Sequence, residues 1–203
     1  ELSMFTDASH LQLSTREHDG YQRYTLDLRQ LDITSLLPKG LLPGKPDGSL
    51  FGTLSYDHLD STTRKISTDL NLQEASFSDL QFRHIFIDGD ISFSDSGEYT
   101  LKLSAQLDSS NIQLQGKNTT STPRSMQASF SRIPVNMLEP FARKHISNLK
   151  GSISGDLSLA TREGKEHLEG QLQFEDAGLR VNTLNASYRI PDQRVRLEQE
   201  RAA

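Results

Sequence analysis

Cysteine and tryptophan are both missing from this chain of 203 residues. The first absence excludes a disulfide framework and a thiolate zinc site, and it suits the cytosol and an oxidising compartment equally. The second, beside only five tyrosines, leaves little of the exposed aromatic surface that glycan-binding and adhesion modules use. Long apolar runs are missing too: Ile85 to Ile87 is the longest unbroken aliphatic or aromatic stretch, far short of a bilayer-crossing helix or a signal-peptide core. There is no basic excess, with 22 Lys and Arg against 27 Asp and Glu. That balance draws neither a phosphate-tracking stripe nor a polybasic membrane patch, so no nucleic-acid partner is expected. The apolar fraction is 34%, and counting glycine brings it only to about 40%, below the roughly 45–50% of ordinary soluble domains. The chain opens at Glu1 without an initiating Met, so it reads as a piece of a longer polypeptide whose signal or anchor would lie elsewhere.

Residues that carry chemistry are equally scarce. His10, His18, His58, His84, His145 and His167 are scattered, with no two at ligand spacing on one expected element. In IDGDISFSDSG, Asp88 and Asp90 fall on the polar face of an expected strand and Asp95 in a turn, without the spacing of an EF-hand loop. Glu175 and Asp176 are adjacent, so on a strand they point to opposite faces and cannot act as a carboxylate pair without a bulge. GSISG carries Ile153 where a nucleophile elbow needs serine, and no phosphate loop or dinucleotide fingerprint occurs. Asn118 and Asn185 lie in N-x-S/T sequons, which matter only where the source glycosylates. The expectation is a non-enzyme, with no catalytic residue, no metal and no cofactor.

What the chain does have is alternation. Leu11 and Leu13, then Tyr24, Leu26 and Leu28, read as a hairpin around REHDG. At Leu31 the period changes, and Leu31, Leu36 and Leu37 before PKGLLPGKPDG predict a short helical turn and a loop. Leu50, Leu54 and Tyr56 share one face of the next strand, and Ile66, Leu70 and Leu72 return along it after HLDSTTRK. A less regular strand is expected over Ala75 to Phe82, then one with Ile85, Ile87, Ile91 and Phe93 in phase, and one with Tyr99, Leu101, Leu103 and Leu107. Ile112 and Leu114, then Met126, Ala128 and Phe130, continue the meander, and Pro134 to His145 is the best helix candidate. From Gly151, GSISGDLSLATREGKEHLEGQLQFEDAGLRVNTL places Ile153, Leu157, Leu159, Leu168, Leu172, Phe174, Leu179 and Val181 in an alternating series. Leu184, Ala186, Tyr188 and Ile190, then Val195 and Leu197, predict a last hairpin around PDQ.

The two halves align. Leu26, Leu28, Leu31, Ile33, Leu36 and Pro38 precede Ala128, Phe130, Ile133, Val135, Leu138 and Pro140 by 102 positions each. Leu50, Gly52 and Leu54 precede Ile153, Gly155 and Leu157 by 103, and Leu70, Leu72 and Ala75 precede Leu172, Phe174 and Ala177 by 102. A repeat of this kind sets the expected organisation: a first unit over 1–110 and a second over 111–203, all-β, with one short helix in each. The apolar face must be buried at roughly 25 cal/mol per Å², either between two sheets of a closed β-sandwich or in one elongated, strongly curled antiparallel sheet whose lining meets a ligand or partner. Gly52, Gly155 and Gly170 sit in phase with the apolar residues, where a strand glycine marks a bend or a close backbone approach. They favour the curled sheet, though they also suit a closed core with large neighbours.

The second half resembles a known family. FSRIPVNMLEPFARKHISNLKGSISGDLSL, HLEGQLQFEDAGLRVNTLNASYRI and RVRLE are similar to the repeats of the TamB and AsmA-like proteins of the Gram-negative envelope. Leu149, Gly151, Gly155, Leu157 and Leu159 fill that family's first strand signature, and Leu168, Gly170, Leu172, Phe174 and Ala177 its second. The resemblance covers about 127–198 well and about 25–77 moderately. The first unit departs from it at Phe51, which breaks the polar face, and at TTRK, which replaces a glycine-containing turn. It implies a periplasmic bridge anchored in the inner membrane, part of a translocation and assembly module for outer-membrane biogenesis. Its groove would take phospholipid acyl chains or nascent outer-membrane strands, and an outer-membrane protein would be its partner. A β-edge scaffold, able to self-associate through its sheet edges, and a sandwich adhesion module remain the alternatives.

Overall fold

Alternation with polar loops predicts strands, and strands form nearly throughout. The computed structural model describes residues 2–5, 10–18, 21–36, 47–77, 80–142, 145–162 and 165–202. The strands are β1 (Leu2–Phe5), β2 (His10–His18), β3 (Tyr21–Asp32), β4 (Asp47–His58), β5 (Thr63–Phe77), β6 (Leu80–Ser94) and β7 (Tyr99–Leu107), then β8 (Ser110–Thr119), β9 (Thr122–Pro134), β10 (Ile146–Arg162), β11 (Lys165–Val181), β12 (Ala186–Ile190) and β13 (Gln193–Ala202). They make one antiparallel sheet in chain order from β1 to β12, with β13 also on β11. A closed sandwich would need two sheets, and the described strands form one. By their contacts the residues divide into two units, Glu1–Asp108 with Leu114–Arg124, and Ser109–Gln113 with Ser125–Ala203.

In the first unit the strands run longer than the alternation alone suggests. Leu31 lies in β3 rather than in a helical turn. The register shifts between Leu28 and Leu31, with Gln30 at φ 54°. This extra residue is a β-bulge, and it returns Leu31 to the face of Leu28, opposite Leu50. The shift between Asp47 and Ser49, with Glu74 at φ 51° on the partner strand, does the same for Leu72 and Ala75. The strand expected over Ala75 to Phe82 is therefore the end of β5 and the start of β6, paired as Ala75 with Phe82. Among the described residues of this unit, helix is limited to α1 (Ile33–Leu36). Most of the loop expected after it, 37–46, lies outside the described residues, as do 19–20 of the first hairpin turn.

The second unit has bulges of its own. β9 and β10 shift register between Ile153 and Gly155, with Arg132 at φ 51°, so Ile133 keeps the face of Phe130. The bulge's backbone is satisfied by side chains: the Arg132 N–H donates to Ser154 Oγ at 2.9 Å, and its carbonyl accepts from Ser110 Oγ at 2.6 Å. Asp176, at φ 46°, brings Ala177 and Leu179 into phase with Phe174. The helix expected over Pro134 to His145 is two short pieces, a 3-10 turn Val135–Leu138 and α2 (Glu139–Ala142). Pro140 has no N–H to extend a preceding helix and is tolerated only in a first turn, which explains the break. Residues 143–144 lie outside the described residues.

The last hairpin is absent. Ile190 pairs with Ala177 and Gln193 with Phe174, so β12 and β13 run on in one register along β11. Pro191 and Asp192 look like a turn in sequence, yet they only interrupt a strand. The Asp192 carboxylate accepts the Asp176 N–H at 3.2 Å, joining the interruption to the bulge opposite it.

Candidate functional site

The alternating residues meet across strands in rows. In the first unit Leu28, Gly52, Leu70, Ile87 and Ala105 are consecutive cross-strand partners, and Leu31, Leu50, Leu72, Ile85 and Leu107 form the next row. Tyr24, Tyr56, Ile66, Ile91 and Leu101 form a third, with the two tyrosine rings 6.1 Å apart. Phe93 faces Tyr99 beyond it. The row of Leu26, Leu54, Thr68, Gly89 and Leu103 is not wholly apolar: Thr68 Oγ1 is buried there without a hydrogen-bond partner. In the second unit Ile133, Ile153 and Phe174 align, as do Phe130, Gly155, Leu172 and Val195, then Ala128, Leu157, Gly170 and Leu197, and Met126, Leu159 and Leu168. Leu179 faces Tyr188, and Val181 lies between Ile146 and Ala186.

Burial tells how these faces are covered. The buried apolar residues among those described are Leu28, Ala75, Phe82, Leu107, Leu149 and Ala177. Leu28 and Leu107 belong to the rows above, whereas Leu50, Leu54, Leu70, Leu72, Ile87, Ile91, Ile153, Leu157, Leu172 and Phe174 are half-buried, and Ile66 and Tyr188 are 37% and 48% exposed. Ser55 and Ser67 on the other face are half-buried as well. Among the described residues, each unit is a single layer of strands with no second sheet over its apolar face.

The glycines in these rows close space instead of opening it. Gly52 has φ +126°, and a Cβ there would run into the Asp69 carbonyl and the Leu70 backbone. A Cβ at Gly155 would lie 2.6 Å from the Gln171 carbonyl oxygen and 2.8 Å from Leu172 Cδ2, with Phe130 Cζ at 3.1 Å. Gly170 stands in the same relation to the Asp156 carbonyl and to Leu157 Cδ2. Neighbouring strands and side chains occupy the volume a side chain would need, the close approach typical of strand glycines. Gly89 is a further such position, with Leu103 Cα 2.8 Å from where its Cβ would be. Its signal in the sequence was its place in phase between Ile87 and Ile91, hidden by the aspartates around it.

The opposite face is mostly polar, with Phe51 and Phe86 as exceptions, and parts of it are internally paired. Asp57, 2% exposed, accepts Arg23 Nε at 2.7 Å and Nη2 at 2.8 Å. These hydrogen bonds raise the guanidinium pKa further against the opposing cost of its desolvation. Lys65 lies 3.7 Å from Asp90, and Asp88 accepts from Ser104. In the turn between β4 and β5 the Asp60 carboxylate accepts the Thr62 and Thr63 N–H groups at 2.8 and 2.7 Å, which lowers its pKa to about 2. The bulge alters one expectation: with Phe174 and Ala177 on one face, Glu175 and Asp176 both fall between them. They have separate partners, Ser152 Oγ at 3.2 Å and Arg189 Nη2 at 2.9 Å.

No group of three or more metal-ligating side chains gathers among the described residues. The described residues contain no helix long and apolar enough to cross a membrane. No family model, curated protein or solved structure matches this chain. The family resemblance therefore rests on the residues that carry it, and the geometry that bears on function is the continuous, half-buried apolar face of the described strands.

Proposed function

We propose that this chain is a non-enzymatic segment of a periplasmic β-groove, built from two similar units, whose apolar face carries phospholipid acyl chains or nascent outer-membrane strands between the two membranes of a Gram-negative envelope. The observation that carries this reading is the exposure of the lining: cross-strand rows such as Leu28, Gly52, Leu70 and Ile87 are continuous, yet their members past Leu28 stay half-buried. An acyl chain laid along such rows gains roughly 0.8 kcal/mol for each CH₂ removed from water, while its headgroup stays in solvent.

The backbone supports the two-unit reading. Gln30 and Arg132, and Glu74 and Asp176, all with positive φ, stand 102 residues apart. The helical turns start 102 apart, at Ile33 and Val135. A strongly curled sheet is part of the same reading, supported by five register shifts among the described strands, since bulges bend and twist a strand.

Native mass spectrometry after incubation with phospholipid vesicles tests the function. Bound phospholipid is expected. Leu70→Lys or Leu172→Lys should lower occupancy about tenfold, equivalent to about 1.4 kcal/mol, and Ser67→Lys on the other face should leave it unchanged. Protein that stays lipid-free, or occupancy indifferent to these substitutions, would reject a lipid-carrying face.

A further inference from the structure

In the first unit, the face that otherwise meets water carries two rings that the alternation does not explain. Phe51 stands opposite Asn71 and Asn71 opposite Phe86, so the rings flank one amide across three strands. Phe86 is 46% exposed, and His84, two residues before it on the same face, stacks on it at 5.7 Å between centroids and 13° between planes. Between the rings, Asn71 Oδ1 is buried without a hydrogen-bond partner, an acceptor that lacks a donor. Two residues along the strands, Asp69 stands directly opposite Asp88, with Asp27 in the same row beyond Thr53. Like charges directly opposite destabilise an antiparallel pair. Asp88 accepts from Ser104, but among the described residues no cation forms an ion pair with any of these three aspartates.

We propose that this patch docks a partner protein through an extended basic segment, in which an Arg or Lys and an apolar side chain alternate on one side. The row of rings and the row of carboxylates are two residues apart, about 7 Å along the strands, which is also the spacing of side chains i and i+2 on an extended chain. The partner's apolar side chain then rests on Phe51 and Phe86. Its cation reaches Asp69 and Asp88, relieves their mutual repulsion and passes close to the exposed Phe86 ring, an attraction in its own right. The N–H groups of such a cation are the donors that Asn71 lacks. The same carboxylates repel an anionic lipid surface, so a protein segment fits this patch better than a membrane does. The patch lies on the side opposite the apolar rows, and docking there does not depend on what those rows carry.

Fluorescence anisotropy with a labelled peptide of repeated Thr-Arg-Thr-Leu tests it on the 203-residue chain. Saturable binding is expected, and a peptide of repeated Thr-Glu-Thr-Leu should not bind. Phe86→Ala should raise Kd about fourfold, and Asp69→Lys about tenfold or more. Asp69→Lys should at the same time raise the urea midpoint, because it turns a repulsive cross-strand pair into an attractive one. Affinity lost from a more stable fold is not a misfolding effect. Asp156→Lys, on the polar face of the second unit, should leave Kd unchanged. A basic peptide that does not bind would overturn the docking surface. So would equal losses from Asp69→Lys and Asp156→Lys, which mean general charge attraction only, or an affinity indifferent to Phe86→Ala. Self-association or flotation with phosphatidylglycerol vesicles that Phe86→Ala abolishes would likewise assign the patch to another occupant and overturn it.

Discussion

At single positions the fold depends on contacts whose loss has a calculable direction. Gly155 is enclosed by the Gln171 carbonyl, Leu172 and Phe130, so Gly155→Val must displace backbone as well as side chains. A loss of about 2–4 kcal/mol in urea unfolding is expected, and an unchanged midpoint would mean that β10 can move off β11 at little cost. Asp57 is buried on the polar face and its carboxylate is held by Arg23, which is partly exposed. Arg23→Ala should cost about 1–3 kcal/mol, below the range for a fully buried pair because water can reach the vacated site. The Asp60 carboxylate titrates lower in the folded chain, at about 2 against an ordinary 3.8. The unfolded state therefore takes up the proton first as pH falls, so this group's contribution is complete above about pH 4 and is lost on acidification through about pH 2. Carboxyl-carbon NMR should place its midpoint near 2, and Asp60→Ala should remove the pH dependence of the turn's amide shifts in that window.

At the scale of elements the bulges decide most of what happens. Gln30, Glu74, Arg132 and Asp176 each adopt a positive φ that favours glycine over a residue with a Cβ. Glu74→Gly and Arg132→Gly should hold or raise stability by up to about 1 kcal/mol, whereas Glu74→Val should lower it by about 1–2 kcal/mol, because a branched side chain fits that conformation worst. Chemical denaturation of the three variants would decide it. The same bulges explain what the sequence can and cannot disclose. Within one strand the period-two signal is strong, so the spacing of Leu50, Leu54 and Tyr56 is enough to assign them to one face. Where an extra residue is inserted, the parity of the apolar positions changes from even to odd, as from Leu28 to Leu31 and from Phe174 to Ala177. A parity change in sequence looks the same whether a strand bulges or ends. That ambiguity turned Leu31 into a helix start and Ala75 into a new strand. Pro191 and Asp192 mislead for another reason: a proline followed by an aspartate has turn chemistry, but one lost N–H interrupts an edge strand without reversing it. The lining itself was legible as a pattern, whereas its exposure was not, since alternation is identical in a sandwich core and on an uncovered sheet.

For the molecule as a whole, the functional claim is that one face of the sheet meets lipid and the other meets water. Photo-crosslinking measures this directly. A photoreactive residue replaces Ile87 or Leu157 on the apolar face, or Asp69 or Ser158 on the polar face, in cells whose phospholipids carry a radiolabel. Labelled phospholipid should attach at Ile87 and Leu157 and not at Asp69 or Ser158. Equal labelling from both faces, or labelling from neither, would contradict a lipid-carrying groove.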